Sequence, residues 1–173
     1  MMYHLSYQVP DTVLLTTKIP VINDEGKTIF LLQKQRLGFL GTIADLALRY
    51  GVRHCYQITL PNGKPIYSLN SAFPGICYRL TEHLTAHNVP INQHIVQLLE
   101  LAYSFSLSNR VYYFEKDFKG NGHLKCDNHL IASVSMPSLT KVSMVDTIVI
   151  EATTQEYAAL AAALFHILFY YNA

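Results

Sequence analysis

The sequence reads, near its end, Thr153-Thr154-Gln155-Glu156-Tyr157-Ala158-Ala159-Leu160-Ala161-Ala162-Ala163-Leu164-Phe165-His166-Ile167-Leu168-Phe169-Tyr170-Tyr171. Thr153 and Glu156 match a capping box, in which the Thr153 hydroxyl accepts from the N–H of Glu156 and the Glu156 carboxylate reaches back to residue 153. No charged side chain follows Glu156 in this run. The segment predicts a helix over 154–171 that is apolar on every side, and such a helix belongs in a protein core or in a membrane.

The length and energetics of this helix favour a protein core. About 17 residues at 1.5 Å each span roughly 25 Å, which is shorter than the roughly 30 Å hydrocarbon layer of a bilayer. Its strongly apolar side chains contribute about −2 to −4 kcal/mol to membrane insertion, whereas their burial in a core contributes roughly 9 to 18 kcal/mol before entropy. A helix enclosed by strands is the favoured interpretation, and a tail-anchored membrane protein is the alternative. His166 is then expected to be a core histidine that donates to a backbone carbonyl.

The chain before this helix has the pattern of short strands joined by polar turns. β-Branched and aromatic residues fill the runs, and Gly, Asn and Asp separate them. Strands are predicted at 3–8, 13–22, 28–33, 56–60, 66–69, 76–83, 103–107, 111–114, 123–126, 130–135 and 142–151. Residues 26–32 and 63–69 share Gly-Lys-x-Ile-aromatic-x-Leu, which indicates an internal repeat.

Two segments in the middle of the chain have helical patterns. Ile43–Tyr50 contains helix formers and is followed by Gly51, so a helix is predicted there. Apolar residues recur at helical spacing in Ile91–Leu101, which favours a short helix, with a strand as the alternative. Asn88–Pro90 is predicted to interrupt whatever structure surrounds it.

Composition limits the classes of function. The chain has 173 residues, of which 50% are apolar, so a single domain over 1–173 with a sizeable core is expected. Its formal net charge of +1 provides no long-range field that attracts nucleic acid. Cys55, Cys77 and Cys126 include no Cys-x-x-Cys pair, and the N-terminus lacks the pattern of a secretory signal. A cytoplasmic protein that does not bind nucleic acid is therefore predicted.

Three segments resemble a known family. They are Asn23-Asp24-Glu25-Gly26-Lys27-Thr28-Ile29-Phe30, then His129-Leu130-Ile131-Ala132-Ser133-Val134, and Asp146-Thr147-Ile148-Val149-Ile150-Glu151, which runs into the apolar helix. Together they resemble the tubby C-terminal-like superfamily, which includes the tubby domain, the LURP-one-related proteins and the phospholipid scramblases, and among these the small bacterial members. The resemblance implies a mainly β fold with α, a closed antiparallel barrel of about twelve strands around a buried hydrophobic C-terminal helix. Residues 36–100 match this pattern poorly.

The resemblance implies a binding or scaffolding module that is not an enzyme and needs no cofactor. Tubby proteins bind phosphoinositide head groups through surface cations, and scramblases move lipids in a calcium-linked way. The tubby lipid contacts are not matched residue by residue in this sequence, and no EF-hand-like acidic loop is present. The expected partner is an anionic phospholipid head group or a protein, and the expected location is the cytoplasm, at the periphery of a membrane.

One cluster of cations in the sequence suits an anionic head group. Lys116, Lys119 and Lys125 lie close together, and Tyr112 and Phe118 are interleaved with them. Such a mixture can bind lipid head groups, with each lysine contributing about 1 kcal/mol near an anionic surface. The alternative interpretation is an ordinary solvated hairpin.

Histidine and cysteine suggest a second class of function, a small metal- or Cys/His-dependent enzyme on the hairpin at 123–129. Cys126 and His129 would lie opposite each other across a tight turn at Asp127-Asn128. No metal site is predicted, because neither histidine group provides four well-placed ligands. If a metal were bound, the candidate ligands would be His83, His87, His94, His123, Cys126 and His129.

Overall fold

The computed structural model describes residues 2–35, 55–72, 77–97, 100–137 and 146–170. Within these ranges the chain forms twelve strands, one α-helix and a π-helical turn. The elements are β1 (Tyr3–Val9), β2 (Lys18–Asn23), β3 (Thr28–Lys34), β4 (Cys55–Thr59), β5 (Pro65–Ala72), β6 (Cys77–Glu82), β7 (His87–Gln97), β8 (Glu100–Leu107), β9 (Arg110–Lys116), β10 (Gly122–Cys126), β11 (His129–Ser135), β12 (Asp146–Ala152), α1 (Gln155–Phe165) and the π-helical turn His166–Tyr170.

The twelve strands form a closed antiparallel barrel, as predicted from the sequence. From β2 to β11 each strand pairs with its neighbours in the chain. Pairing between β1 and β12, from Tyr3 opposite Ala152 to Val9 opposite Asp146, closes the sheet. Because the strands alternate in direction, the β2–β3, β4–β5, β6–β7, β8–β9 and β10–β11 turns lie at the end where α1 begins, which we call the entry end. The opposite end, near the π-helical turn, is the exit end.

The helix lies inside the barrel. Every residue of Ala158–Phe169 is buried, and the enclosing strands direct alternate apolar side chains at it. The side chains around it include Leu5, Tyr7, Val21, Leu32, Ile58, Leu69, Leu80, Phe114, Leu124, Val134, Ile148 and Ile150. This burial confirms the interpretation of the apolar segment as a core helix. Among the described residues, no helix has the length and hydropathy required for a membrane span.

The cap of α1 lies one residue later than predicted. Thr154, in an extended conformation, is the N-cap, and its side chain accepts from the N–H of Tyr157 at 3.2 Å. The N–H of Thr153 instead donates to the Ile131 carbonyl at 2.9 Å, which joins the chain to β11. The position that a capping-box glutamate would occupy is Tyr157, so the predicted box at Thr153 and Glu156 is wrong.

His166 is fully buried at the start of the π-helical turn, as expected of a core histidine. Its Nδ1 lies 3.4 Å from the Tyr7 hydroxyl, so a side chain of the barrel wall is a partner of the imidazole. The ring of Tyr56 meets the imidazole edge-on at 4.7 Å, and the ring of Tyr170 stacks on it at 5.5 Å.

Two predicted elements differ clearly from the structure, and the helix predicted in the middle of the chain falls outside the described residues. β2 begins at Lys18, because the residues before it form a turn and irregular backbone, so the predicted start at 13 is wrong. The segment predicted as a helix from Ile91 belongs to β7 and continues the backbone of Asn88–Pro90 without a break. Pro90 pairs with Arg79 of β6, and the β7 ladder to β8 starts only at Asn92, so the N–H that Pro90 lacks removes no hydrogen bond from the β8 side. The predicted helix Ile43–Tyr50 lies outside the described residues.

The predicted repeat corresponds to a shared turn geometry. Gly26 and Gly63 both have positive φ, and each N–H donates to the carbonyl three residues earlier at 2.9 Å. Gly120, in the β9–β10 turn, has a φ of 88° and makes the same hydrogen bond, to Asp117. Glycine adopts this conformation without a steric penalty, which explains why it occupies the same position in all three turns. The third copy was not predicted, and it lies at the exit end.

Candidate functional site

Asp117 organises the β9–β10 turn at the exit end. Its Oδ1 accepts from the backbone N–H groups of Lys119 at 2.9 Å and Asn121 at 2.8 Å. Its Oδ2 accepts from the Asn121 side-chain amide at 3.0 Å, and His123 Nε2 lies 3.1 Å away. Desolvation opposes ionisation of this carboxyl, but the hydrogen bonds from His123, Asn121 and Lys119 outweigh it and lower the pKa to about 2. The turn is therefore held in one conformation at neutral pH.

Replacing Asp117 with alanine is expected to destabilise the protein by about 1–2 kcal/mol, because the turn loses its acceptor while the site stays partly solvated. A carboxyl with a lowered pKa contributes stability that is complete above its ordinary value of 3.8 and is lost as the pH falls through about 2. The difference between wild type and Asp117→Ala, measured by urea unfolding, should therefore shrink from pH 7 to pH 2. Asp24→Ala, in the β2–β3 turn, is the matched control. An equal difference at both pH values would contradict this account.

Three of the five predicted lipid-contacting residues lie together on this turn. Phe118 is 86% exposed. The Lys119 ammonium lies 5.6 Å from the centre of the Phe118 ring. The Lys116 ammonium lies 5.3 Å from the centre of the Phe169 ring, so it reaches over the end of the buried helix. These contacts are typical of cation–π pairs, which hold the two cations beside aromatic surface.

The other two predicted residues have different surroundings. Lys125 makes a 2.6 Å ion pair with Glu115 on the neighbouring strand. Tyr112 is 6% exposed, and its ring stacks on Phe105 at 5.1 Å. Tyr112 therefore contributes to the core, and the charge of Lys125 is offset by a neighbouring carboxylate.

The neighbouring β7–β8 hairpin exposes two apolar residues that sequence reasoning missed. Ile95 is 78% exposed and Val96 is 49% exposed, although both are strand residues. Strand order places this hairpin beside the β9–β10 turn, because β8 pairs with β9 up to Ala102 opposite Glu115. Nothing in the sequence distinguishes Ile95 and Val96 from core residues. Their exposure follows from their position near the end of a long strand, which the structure alone defines.

We call Ile95, Val96, Lys116, Phe118 and Lys119 the hairpin patch. It combines apolar side chains that project from the exit end with two ammonium groups. The structure gives neither ammonium a carboxylate partner within the described residues. Asp117 is the nearby acid of the turn, and its carboxylate oxygens are occupied by the hydrogen bonds of the turn. This arrangement suits a surface that is both apolar and anionic.

The candidate metal ligands are spread over the barrel. His83 Nε2 lies 2.6 Å from Ser68 Oγ, and His94 Nε2 lies 2.6 Å from Ser104 Oγ. His87 Nδ1 lies 2.9 Å from Thr85 Oγ1. Within the described residues there is no group of three or more His, Cys, Asp or Glu side chains that could hold a metal ion.

The hairpin at 123–129 places Cys126 opposite His129, as predicted, with Asp127 and Asn128 at positive φ. Alternation along β10 turns Cys126 into the barrel and His123 to the outside. His123 is close to Asp117 at the exit end, whereas the Asp127 side chain accepts from the N–H of Val111 at the entry end. His123 therefore lies on a different face and at a different end of the barrel from Cys126, and it is not part of the group formed by Cys126, Asp127 and His129.

The sequence matches the family described as Tubby C-terminal like domain over residues 5–171. The match covers nearly the whole chain, including the segments that resemble the family least. No curated protein matches the sequence.

Proposed function

We propose that this chain, which belongs to the Tubby C-terminal like domain family, binds anionic phospholipid head groups at a membrane surface through the hairpin patch. Membership of this family supports a non-enzymatic binding module in general. The finer assignment, to an anionic lipid surface, is our proposal. It implies a cytoplasmic protein that associates with the periphery of a membrane.

The observation that supports this proposal is the exposure of Phe118 between two lysines. An 86% exposed phenylalanine leaves most of its apolar surface in water. Ile95 and Val96 extend this apolar surface on the next hairpin. Exposed apolar groups beside cations are typical of interfacial segments, which insert apolar side chains at the level of the head groups while the cations meet lipid phosphates.

The expected affinity is modest. Lys116 and Lys119 contribute about 1 kcal/mol each near an anionic surface, which is about thirtyfold in affinity. Phe118 contributes up to about 1.5–3 kcal/mol if its ring is fully removed from water. The protein would then bind a membrane reversibly rather than permanently. Lys125 should add little to this affinity, because Glu115 already pairs with its ammonium group.

The test is co-sedimentation with large liposomes. The Phe118→Ser/Lys119→Ser double variant is expected to bind liposomes containing phosphatidylserine and a phosphoinositide at least tenfold more weakly than wild type. The matched control is Val111→Ser/Lys27→Ser, which removes an exposed apolar residue and a lysine at the entry end. Both double variants should melt within a few degrees of wild type, because the substituted side chains lie at the surface.

Two further tests vary the lipid composition of the liposomes and the salt concentration. Neutral phosphatidylcholine liposomes should bind weakly, and raising the salt concentration should weaken binding to anionic liposomes because the Debye length falls to about 3 Å at 1 M. Equal binding to neutral and anionic liposomes would contradict the proposal. Unchanged binding by the Phe118→Ser/Lys119→Ser variant would also contradict it. If no liposome is bound even at low salt, the patch is better explained as a docking surface for a protein.

A further inference from the structure

The barrel has a weak seam between β1 and β2. These strands are paired at two positions, Leu5 opposite Asn23 and Ser6 opposite Ile22, whereas β1 and β12 are paired at seven. Beyond Ser6, β1 and β2 separate toward the exit end. A cavity of about 450 Å³ lies between them. We call it the seam cleft, and its volume lies within the range of small-molecule sites, roughly 300–1,000 Å³.

The seam cleft is mainly apolar. Tyr7 and Ile19 are each 1% exposed, and they form its floor where the strands part. Pro20 and Ile22 line the β2 side on the outer face of the barrel. The cleft narrows at the last pair, between Ser6 and Ile22, and widens toward the exit end. Its shape suits a narrow apolar group that enters from the wide end.

The edges of the cleft are poorly suited to a peptide strand. Pro10 and Pro20 lie on opposite sides of it, and proline has no N–H to donate to an added strand. Proline at a strand edge is a common device against strand addition. An acyl chain forms no hydrogen bonds with a strand edge, so the missing N–H groups do not weaken its binding. The lining therefore favours an acyl chain over an extended peptide.

Lys18 provides the only charge among the residues that line the cleft. It is exposed and begins β2, at the wide end, and within the described residues the structure gives its ammonium group no hydrogen bond or ion pair. A cation at the mouth of an apolar cleft complements an anionic head on an apolar tail. We propose that the seam cleft binds a long-chain fatty acid, with its chain against Pro10, Pro20 and Ile22 and its carboxylate at Lys18.

This site is separate from the hairpin patch. In the strand order, the β1–β2 seam and the β7–β10 hairpins lie on opposite sides of the barrel. The inference therefore does not depend on the membrane proposal. One protein preparation can test both, because the variants that affect one surface leave the other unchanged.

The test is a fluorescence titration with cis-parinaric acid, a naturally fluorescent fatty acid, below its critical micelle concentration. Wild type should bind the probe saturably at one site, and palmitate should displace it. Ser6→Trp places a bulky ring at the narrow end and should weaken binding at least tenfold. Thr147→Trp, which lines the same cleft opposite Gln8, is the second blocking variant and should have the same effect if Ser6→Trp fails to fold.

Charge is tested separately from shape. Lys18→Gln should weaken palmitate binding about fivefold and leave hexadecanol binding unchanged. Palmitate has a carboxylate that can pair with the Lys18 ammonium, whereas hexadecanol is neutral. Lys27→Gln, at the entry end, is the matched control and should bind both compounds as wild type does. The Phe118→Ser/Lys119→Ser variant should also bind the probe normally.

Three results would overturn the inference. They are the absence of saturable probe binding by wild type, normal binding by a Trp variant that melts as wild type does, and an equal effect of Lys18→Gln on palmitate and hexadecanol. In the first case, amide protection of β1 and β2 by an extended peptide would identify strand addition as the use of the seam. Loss of probe binding with intact liposome binding would contradict this inference alone.

Discussion

A chain that ends at residue 153 is expected to aggregate rather than fold. Removing the helix leaves a barrel whose inward side chains, such as Leu32, Ile58 and Ile148, have no partner at the centre. The strongly apolar residues of the helix contribute roughly 9–18 kcal/mol by burial, which is comparable with the roughly 5–15 kcal/mol net stability of a typical domain. Light scattering after gel filtration, together with binding of a hydrophobic dye, should show soluble oligomers or precipitate with exposed apolar surface.

The full-length protein at the same concentration is the comparison for this truncation. A synthetic peptide of residues 153–173, added during refolding, provides a second measurement, because a barrel that lacks only its central helix should recover part of its structure. A truncated protein that is monomeric and melts cooperatively would show that the barrel is stable without its helix.

The second large effect is expected for Leu164→Asp. Leu164 is 0% exposed at the centre of the barrel, so the new carboxylate would have neither water nor a cationic partner. The expected loss is at least about 4–5 kcal/mol of unfolding free energy, a large fraction of the roughly 5–15 kcal/mol net stability of a typical domain. Leu164→Ala should lose about 2–5 kcal/mol, which isolates the cost of the cavity from that of the charge.

Gln155→Asp is the control for this substitution. Residue 155 is exposed in the first turn of α1, where a carboxylate is favoured by the helix dipole, so its unfolding free energy should stay within about 0.5–1 kcal/mol of wild type. Circular dichroism melts of the three variants measure the difference. Equal stability of Leu164→Asp and Gln155→Asp would show that the helix is not enclosed.

The part of the fold that could be predicted is the part in which a local pattern has one physical solution. An apolar helix without a polar face must be enclosed, and strands without a free edge are a stable enclosure. The cap was misplaced by one residue because Thr153 and Thr154 are both capping residues, and only the backbone distinguishes them. The hydrogen bond from the N–H of Thr153 to Ile131, a contact between distant segments, is what assigns the cap to Thr154.

β7 shows where a local pattern is ambiguous. The spacing of four between Ile91 and Ile95 fits one face of a helix and one face of a strand equally well. In the structure Ile91 is 5% exposed and Ile95 is 78% exposed, because the strand continues beyond the part of the barrel that covers its inner face. Burial at residue 95 is therefore decided by the length of the strand relative to the barrel, which the sequence does not encode locally.

The residues of the candidate site that lie close together in sequence could be predicted, whereas those brought together by strand pairing could not. One turn and the strand end before it contain Lys116, Phe118 and Lys119. These residues are close in space because they are close in sequence. Tyr112 shares its strand face with the core residue Phe114, so alternation along β9 could have assigned it to the interior. The ion pair of Lys125 with Glu115 depends on the β9–β10 register, and Ile95 and Val96 reach the patch through strand order.

The closure of the barrel by β1 and β12 limits the order in which its strands can pair during synthesis. During synthesis, β2 to β11 can each pair with a neighbour that is already present or next to emerge. One edge of β1 stays unpaired until β12 has been synthesised. The apolar interior stays uncovered until α1, which follows β12 directly, has also been synthesised. The nascent chain therefore carries an open edge and an uncovered apolar face until β12 and α1 have been synthesised. A ribosome that stalls before residue 155 would release a chain with the same exposed surface, a natural substrate for chaperones and proteases.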